Sequence, residues 1–239
     1  MKDTAKRNMS YRSGTEIPTS VFSTDELLVR SGKSATGSKQ AFKLTSQKAI
    51  IGSWYFRPLH ACGKMKGLDH ELQHYQWEII GPAEVRWTGT LLDPLSGEDT
   101  KHEYGVGFIV RKAVTGCILS CTPISNRIIS IRVSAKPKNV TIIQVYAPTS
   151  DHEDQEVEAF YEQVENVTKK VPKKDIIIIQ GYFNAKIGPH VFEIWIGTVS
   201  QYGTSETNDR GLRALEFASS QRLTIANTLY QHKISCRTT

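Results

Sequence analysis

The chain has 239 residues, 39% of them hydrophobic and 23% charged, with a formal net charge of +6. That length suits one large α/β domain with a tail better than two packed domains, and it carries enough apolar side chains for a sizeable core. No apolar run reaches the ~20 residues that cross a bilayer, and no apolar segment follows the early charges of MKDTAKRNMS, so a membrane-spanning or secreted protein is not expected; an intracellular one, nuclear or cytoplasmic, is the default.

The charge is unevenly spread. Residues 1–48 carry nine Lys/Arg and four Asp/Glu, a balance of +5, while residues 49–239 carry 21 and 20, the remaining +1. The basic character therefore belongs to the first 48 residues and not to a nucleic-acid-binding face of the domain. That segment is rich in Ser, Thr, Gly and Lys, and SGKSATGSKQ is low in complexity. It buries too little apolar surface to offset its ordering entropy, so a disordered basic tail is expected over 1–48. Such a tail attracts phosphate backbones only weakly and without specificity. Of the cysteines, Cys62, Cys117, Cys121 and Cys236, only Cys117 and Cys121 are close in sequence. No second pair completes a zinc knuckle, and reduced thiols are expected.

Order is expected over 49–239. AIIGSWYF (49–56) reads as a buried strand. HACGKMKGLDHELQHY (60–75) sets Met65, Leu68, Leu72 and Tyr75 on one helical face. WEIIGPAEV (77–85) reads as a strand broken at Gly81-Pro82, and YGVGFIVRK (104–112) as another. RIISIRVS (127–134) alternates like a half-buried strand and links to the strand VTIIQVY (140–146) through a short turn. DHEDQEVEAFYEQVENVTKK (151–170) reads as a helix, acidic at its start and basic at its end, as the macrodipole favours. DIIIIQGYF (175–183) is the strand that reads as most buried. NDRGLRALEFASSQ (208–221) is an amphipathic helix with Leu212, Leu215 and Phe217 inward, and LTIAN (223–227) a last strand. Strands alternating with helices, with hairpins among them, imply a layered sandwich of mixed sheets.

Several segments place polar groups at strand ends, where α/β folds gather their chemistry. They are Ser53–Arg57, Ala83–Trp87, Val145–Thr149 and Gly181–Ala185. Glu84, just past an apolar strand, suits a hard cation such as Mg²⁺, although a lone Glu there is more often a surface or capping residue. His70-Glu71-Leu72-Gln73-His74 is a literal H-E-x-x-H, the zinc-protease helix pattern. Trp77 and Ile80 stand where its common extension needs Gly and His, and Leu72 and Tyr75 turn both histidines outward, so a solvated helix face is the better account. Gly105-Val106-Gly107 lacks the third glycine and the helix of a dinucleotide site and reads as a bulge or a close strand approach.

Taken together, AEVRWTGT, HEYGVGFIV, IQVYAPTSDHEDQEVEAFYEQV, GYFNAKIG and NDRGLRALEFASSQRLTIANT resemble, in order, the landmarks of the endonuclease/exonuclease/phosphatase superfamily in its retrotransposon (LINE-type) endonuclease branch. The resemblance runs from about Ile51 to Thr239. It implies an α/β fold, a two-layer mixed β-sandwich flanked by helices, and Mg²⁺-dependent hydrolysis of phosphodiesters, with DNA as the partner. It assigns Glu84 to the metal, and Tyr146 and Asn184 to the scissile phosphate. Two positions depart from the pattern: Tyr55 stands where the family has Asn, and Tyr182 where it has the Asp of G-D-F-N-A. A phenol carries no charge at neutral pH and does not replace a carboxylate base. The family's terminal Asp-His pair has no counterpart before Thr239. The resemblance therefore implies a C-terminally truncated, catalytically impaired relative, with a non-catalytic binding remnant as the alternative and a zinc protease using His70, Glu71 and His74 as a remote one.

Overall fold

The computed structural model describes residues 50–55, 72, 75–83, 105–203 and 206–231, together with the backbone of 7–8 and 42–43; Tyr55 is described by its backbone alone. The strands are β1 (Arg7–Asn8), β2 (Phe42–Lys43), β3 (Ile51–Tyr55), β4 (Tyr75–Gln76), β5 (Ile79–Ala83), β6 (Ile109–Val110), β7 (Ile118–Ser125), β8 (Ile128–Val133), β9 (Ala135–Lys136), β10 (Val140–Tyr146) and β11 (Ile176–Tyr182). The helices are α1 (Lys112–Thr115), α2 (Asp154–Lys170) and α3 (Asp209–Ser220). The chain forms two compact units. The first gathers the described residues up to Tyr146 with 170–182, and the second gathers 147–169 with those from 183 on.

In the first unit a four-stranded sheet runs β11-β10-β8-β7, and a three-stranded sheet runs β3-β5-β6. The β10–β11 and β3–β5 pairs are parallel, while β8 pairs β10 and β7, and β6 pairs β5, in antiparallel fashion. Two-residue parallel pairings join β1 to β4 and β2 to β9. Apart from these, the segment 1–48 lies outside the described residues. The two larger sheets close over one apolar cluster, in which Ile79 and Val110 of one meet Ile131, Val133, Val140 and Ile142 of the other. The mixed-sheet sandwich expected from the alternation of elements is the architecture observed. Among the described residues no helix is long and apolar enough to cross a membrane.

Several local expectations are corrected. β5 passes through Gly81-Pro82 without a break. The amide proton that Pro82 lacks would face the same side as its carbonyl, which accepts from the Gly107 N–H at 3.2 Å beyond the end of the short β6, so little pairing is lost. The strand read over 104–112 shrinks to Ile109–Val110, and α1 follows at once. Tyr75 belongs to a strand, not to the end of a helix. β10 is buried at all its residues, as β5 is, while the isoleucine-rich β11 beside it is half exposed because it lies at the edge of its sheet.

In the second unit α2 buries Val157, Phe160, Tyr161 and Val164, an i, i+3, i+4, i+7 stripe. α3 buries Ala214, Leu215, Phe217 and Ala218, and the Phe217 and Tyr161 rings meet at 5.2 Å. Leu212, expected inward, is 42% exposed, because at about 100° per residue it points roughly 120° away from Ala218 and past the edge of the buried face of Ala214, Leu215 and Ala218. LTIAN does not form a strand. Leu223 N–H donates to the Ala218 carbonyl and Ile225 N–H to the Thr198 carbonyl, both at 2.8 Å, and the segment then tightens into a 3-10 turn over Ala226–Thr228.

Candidate functional site

Position along the strands decides which ends lie together. Ile51, Ile79, Ile142 and Ile178 all belong to, or pack against, the one apolar cluster between the sheets. Two residues further along each strand come Ser53, Gly81, Gln144 and Gln180. The Gln144 Nε2 donates to Ser53 Oγ at 3.2 Å, Ser53 Oγ donates to the Gly81 carbonyl at 3.3 Å, and Gln180 Nε2 donates to the Gly52 carbonyl at 3.0 Å. Two residues further still come Tyr55, Ala83, Tyr146 and Tyr182. A strand repeats its face every second residue, so the four strands run in one sense and finish at one end of the sandwich.

The polar layer fixes that arrangement. Gln144 is fully buried, and an ideal Cβ on Gly81 would lie 1.8 Å from its Oε1. Only a glycine lets the facing sheet pass there. The Oε1 has no hydrogen-bond partner and abuts the Gly81 backbone instead.

At the strand ends Tyr146 and Tyr182 are register partners. Their rings stack, with centroids 6.2 Å apart and planes 19° from parallel. Gly181, just before Tyr182, has φ +139°, and a Cβ on it would lie 1.9 Å from the Val145 carbonyl oxygen. The glycine thus lets β11 close against β10 immediately below the paired rings. Tyr146 is 4% exposed. Its N–H donates to the Arg127 carbonyl at 2.9 Å, and the Arg127 guanidinium lies 5.8 Å from the centre of its ring.

Asn184 belongs to the second unit. It holds a left-handed φ of 51°, which asparagine tolerates well, and its Nδ2 donates to the Ala147 carbonyl at 2.7 Å. In the same unit the N-D-R-G segment explains itself locally. Asn208 Oδ1 caps α3 by accepting from Gly211 N at 2.8 Å and also accepts from Lys186 N at 2.9 Å. Arg210 donates to Asp154 at 2.7 Å, and a Cβ on Gly211 would lie 1.9 Å from the Lys186 carbonyl oxygen.

Of the residues singled out from sequence, the structure brings Tyr146 and Tyr182 together and places the Tyr55 backbone at the same end. Glu84 follows the last described residue of β5 and lies outside the described residues, as do His70, Glu71 and His74. Phenols and a guanidinium can donate hydrogen bonds, accept weakly and stack, but they bring no negative charge. A divalent cation such as Mg²⁺ needs hard, mostly anionic oxygen ligands, and the described residues at this end do not fit it. Among the described residues no group of three or more His, Cys, Asp or Glu could hold a metal. Gln144 and Gln180 were not singled out from sequence. Their signal is the echo between IIQVY and IIQGY, in which each Gln precedes its Tyr by two.

No family model matches the chain. It is 33% identical over 211 residues to craniofacial development protein 2 of Bos taurus, and 33% identical over 206 residues to that of Tragulus javanicus. These alignments cover 84% and 82% of the chain but 35% of each relative, so the chain spans about a third of the length of the curated relatives it matches. Among solved structures it is similar to the endonuclease domain of TRAS1, a telomere-specific non-LTR retrotransposon (TM-score 0.44, 17% identity, 71% of this chain and 69% of that one). It is also similar to the 3' phosphatase NExo from Neisseria bound to a product DNA hairpin (0.42, 18%, 61% and 62%) and to an endonuclease/exonuclease/phosphatase family protein from Leptotrichia buccalis (0.40, 15%, 58% and 67%). The chain belongs to the family of craniofacial development protein 2 homologues.

Proposed function

We propose that the chain derives from a Mg²⁺-dependent DNA endonuclease, that its own phosphodiester chemistry is lost, and that nucleic acid remains its partner. The observation that carries this reading is the stacked Tyr146–Tyr182 pair, which sets a phenol where the family motif places its carboxylate. A general base is worth ~10²–10⁴ in rate, and an uncharged ring beside another ring cannot deprotonate water. Tyr55 exchanges an amide for a second phenol at the neighbouring strand end. When bound, Mg²⁺ would polarise the phosphoryl oxygens. Glu84 is the retained position that the resemblance assigns to the metal, and Tyr146 and Asn184 are the retained positions that it assigns to the scissile phosphate. The domain assignment, a basic tail over 1–48 and the nuclease-like domain over 49–239, is part of the same proposal.

The test is nicking of supercoiled plasmid by the chain in Mg²⁺, with EDTA and Glu84→Ala controls. No nicking is expected. Nicking that needs both Mg²⁺ and Glu84 would overturn the loss of chemistry. A Tyr55→Asn/Tyr182→Asp double variant that gains Mg²⁺-dependent nicking would show that these two substitutions alone silence the site.

A further inference from the structure

The near-neutral charge of residues 49–239 conceals a separation. Residues 127–140 and 170–175 together hold seven Lys/Arg and one Asp/Glu. The fold brings these two stretches together at the N-terminal ends of β10 and β11, the end of the sandwich opposite the stacked tyrosines. Val140 and Ile176 are register partners, and the Ile176 N–H donates to the Asn139 carbonyl at 2.8 Å, so the loops before the two strands lie side by side. Each loop is closed on itself, one by Asn139 Oδ1 accepting from Ala135 N at 3.2 Å, the other by Asp175 N–H donating to the Pro172 carbonyl at 2.9 Å. Lys136, Lys138, Lys170, Lys173 and Lys174 are all exposed on them.

Asp175, the one carboxylate within these two stretches, does not neutralise the lysines. Asp175 accepts from Arg132 at 2.6 and 3.0 Å and from Thr141 Oγ1 at 2.9 Å, so its charge is already taken. None of the five lysines forms an ion pair with a described residue. Neighbouring strands lie about 4.8 Å apart, so the paired loops bring the backbones that carry these lysines together on the scale of the Debye length, about 8–10 Å at ordinary salt. Like charges pinned on rigid, closed loops repel in the isolated chain, and the repulsion is relieved by a polyanion with regularly spaced charges.

We propose that this lysine-bearing end is a contact surface for the sugar-phosphate backbone of duplex nucleic acid, separate from the strand ends that carry Tyr146 and Tyr182. It takes phosphates as point charges and reads no base, because lysine offers a flexible ammonium and not a planar fork. The proposal shares with the functional reading only the class of partner, and cleavage plays no part in its test.

The experiment is fluorescence anisotropy of a labelled mixed-sequence duplex with the full chain, without Mg²⁺, across a salt series. The parental chain is compared with Lys138→Gln/Lys173→Gln/Lys174→Gln and with a charge-matched tail control, Lys2→Gln/Lys33→Gln/Lys39→Gln. Each lost phosphate contact removes ~0.9 from the slope of log affinity on log salt. The loop variant should flatten that slope by about 2–3 and bind at least about tenfold more weakly at low salt, and the tail control should change less. Equal losses in both triples would mean that only net charge matters and would overturn the proposal. So would an unchanged loop variant, or a parental chain that binds no duplex at low salt. A loop variant that loses binding to phosphatidylserine vesicles while keeping duplex affinity would assign the surface to membranes instead. Unchanged circular dichroism and thermal midpoint confirm that the exposed substitutions leave the fold alone.

Discussion

The two ends of β10 and β11 are held by different physics. At the C-terminal end the strands are locked by shape: Gly181 admits the Val145 carbonyl, Gly81 admits Gln144 one level below, and two rings stack in register. At the N-terminal end they are locked by charge, through the bidentate Arg132–Asp175 pair and its Thr141 hydroxyl. The first kind of lock is indifferent to pH and salt and intolerant of added atoms. The second tolerates shape and answers to protonation. In one sheet, then, the end that bears the stacked tyrosines is sterically fixed, and the end that bears lysines is electrostatically tuned.

The largest expected effect breaks the steric end. Gly181→Ala puts a methyl 1.9 Å from a carbonyl oxygen at a φ of +139°, and should cost about 3 kcal/mol or more, or prevent folding. Urea denaturation at several pH values should show the same loss throughout. A loss below about 1 kcal/mol would mean that β11 moves aside freely and that the tyrosine register is not fixed.

Next comes the electrostatic end. Asp175→Ala strands Arg132 and the buried Thr141 hydroxyl, at about 2 kcal/mol near neutral pH. Arg132 hydrogen bonds, and then Thr141, hold the Asp175 carboxyl below its usual range. A depressed native value means that the contribution is complete above the ordinary carboxylate range, about pH 4, and fades as pH falls through the depressed one. The difference between parental chain and variant should therefore shrink in acid. A difference that stays constant down through acid would deny the charge lock.

The exposed lysines sharpen the contrast from the other side. Lys173→Gln/Lys174→Gln should leave the thermal midpoint nearly unchanged, within about 0.5 kcal/mol, while altering salt-dependent association. The smallest effect concerns Cys121 on β7, whose thiol is pushed up to about 11 by burial. Mass-spectrometric mapping of iodoacetamide labelling at about pH 8 should find it modified far more slowly than an ordinary thiol of pKa about 8.5, since only the thiolate reacts. Rapid labelling of Cys121 would mean that β7 opens.

Much of this was legible in the residues. The runs that became β3, β8, β10 and β11 were visible as apolar or alternating stretches, and the α2 stripe as a helical period. Burial rank was not. IIIIQ reads as more buried than TIIQV, yet the second is central and the first peripheral, because place in a sheet is decided by which strands pair, and pairing is non-local. Leu212 and LTIAN failed for a related reason, since apolar character alone does not say which surface an element finds. Of the candidate site, the motif spacing put Tyr146 and Tyr182 at strand ends, and parallel pairing made them neighbours. Gln144 was missed because a lone glutamine in an isoleucine run reads as a flaw until the glycine facing it is known.

The ring pair has an optical consequence. Two phenol chromophores 6.2 Å apart and 19° from parallel are close enough for their electronic transitions to mix, so the pair rotates near-ultraviolet light as one coupled unit. The strand ends thus carry a built-in spectral label, and its loss would report a slip of β11 against β10 even where the helical signal stays the same.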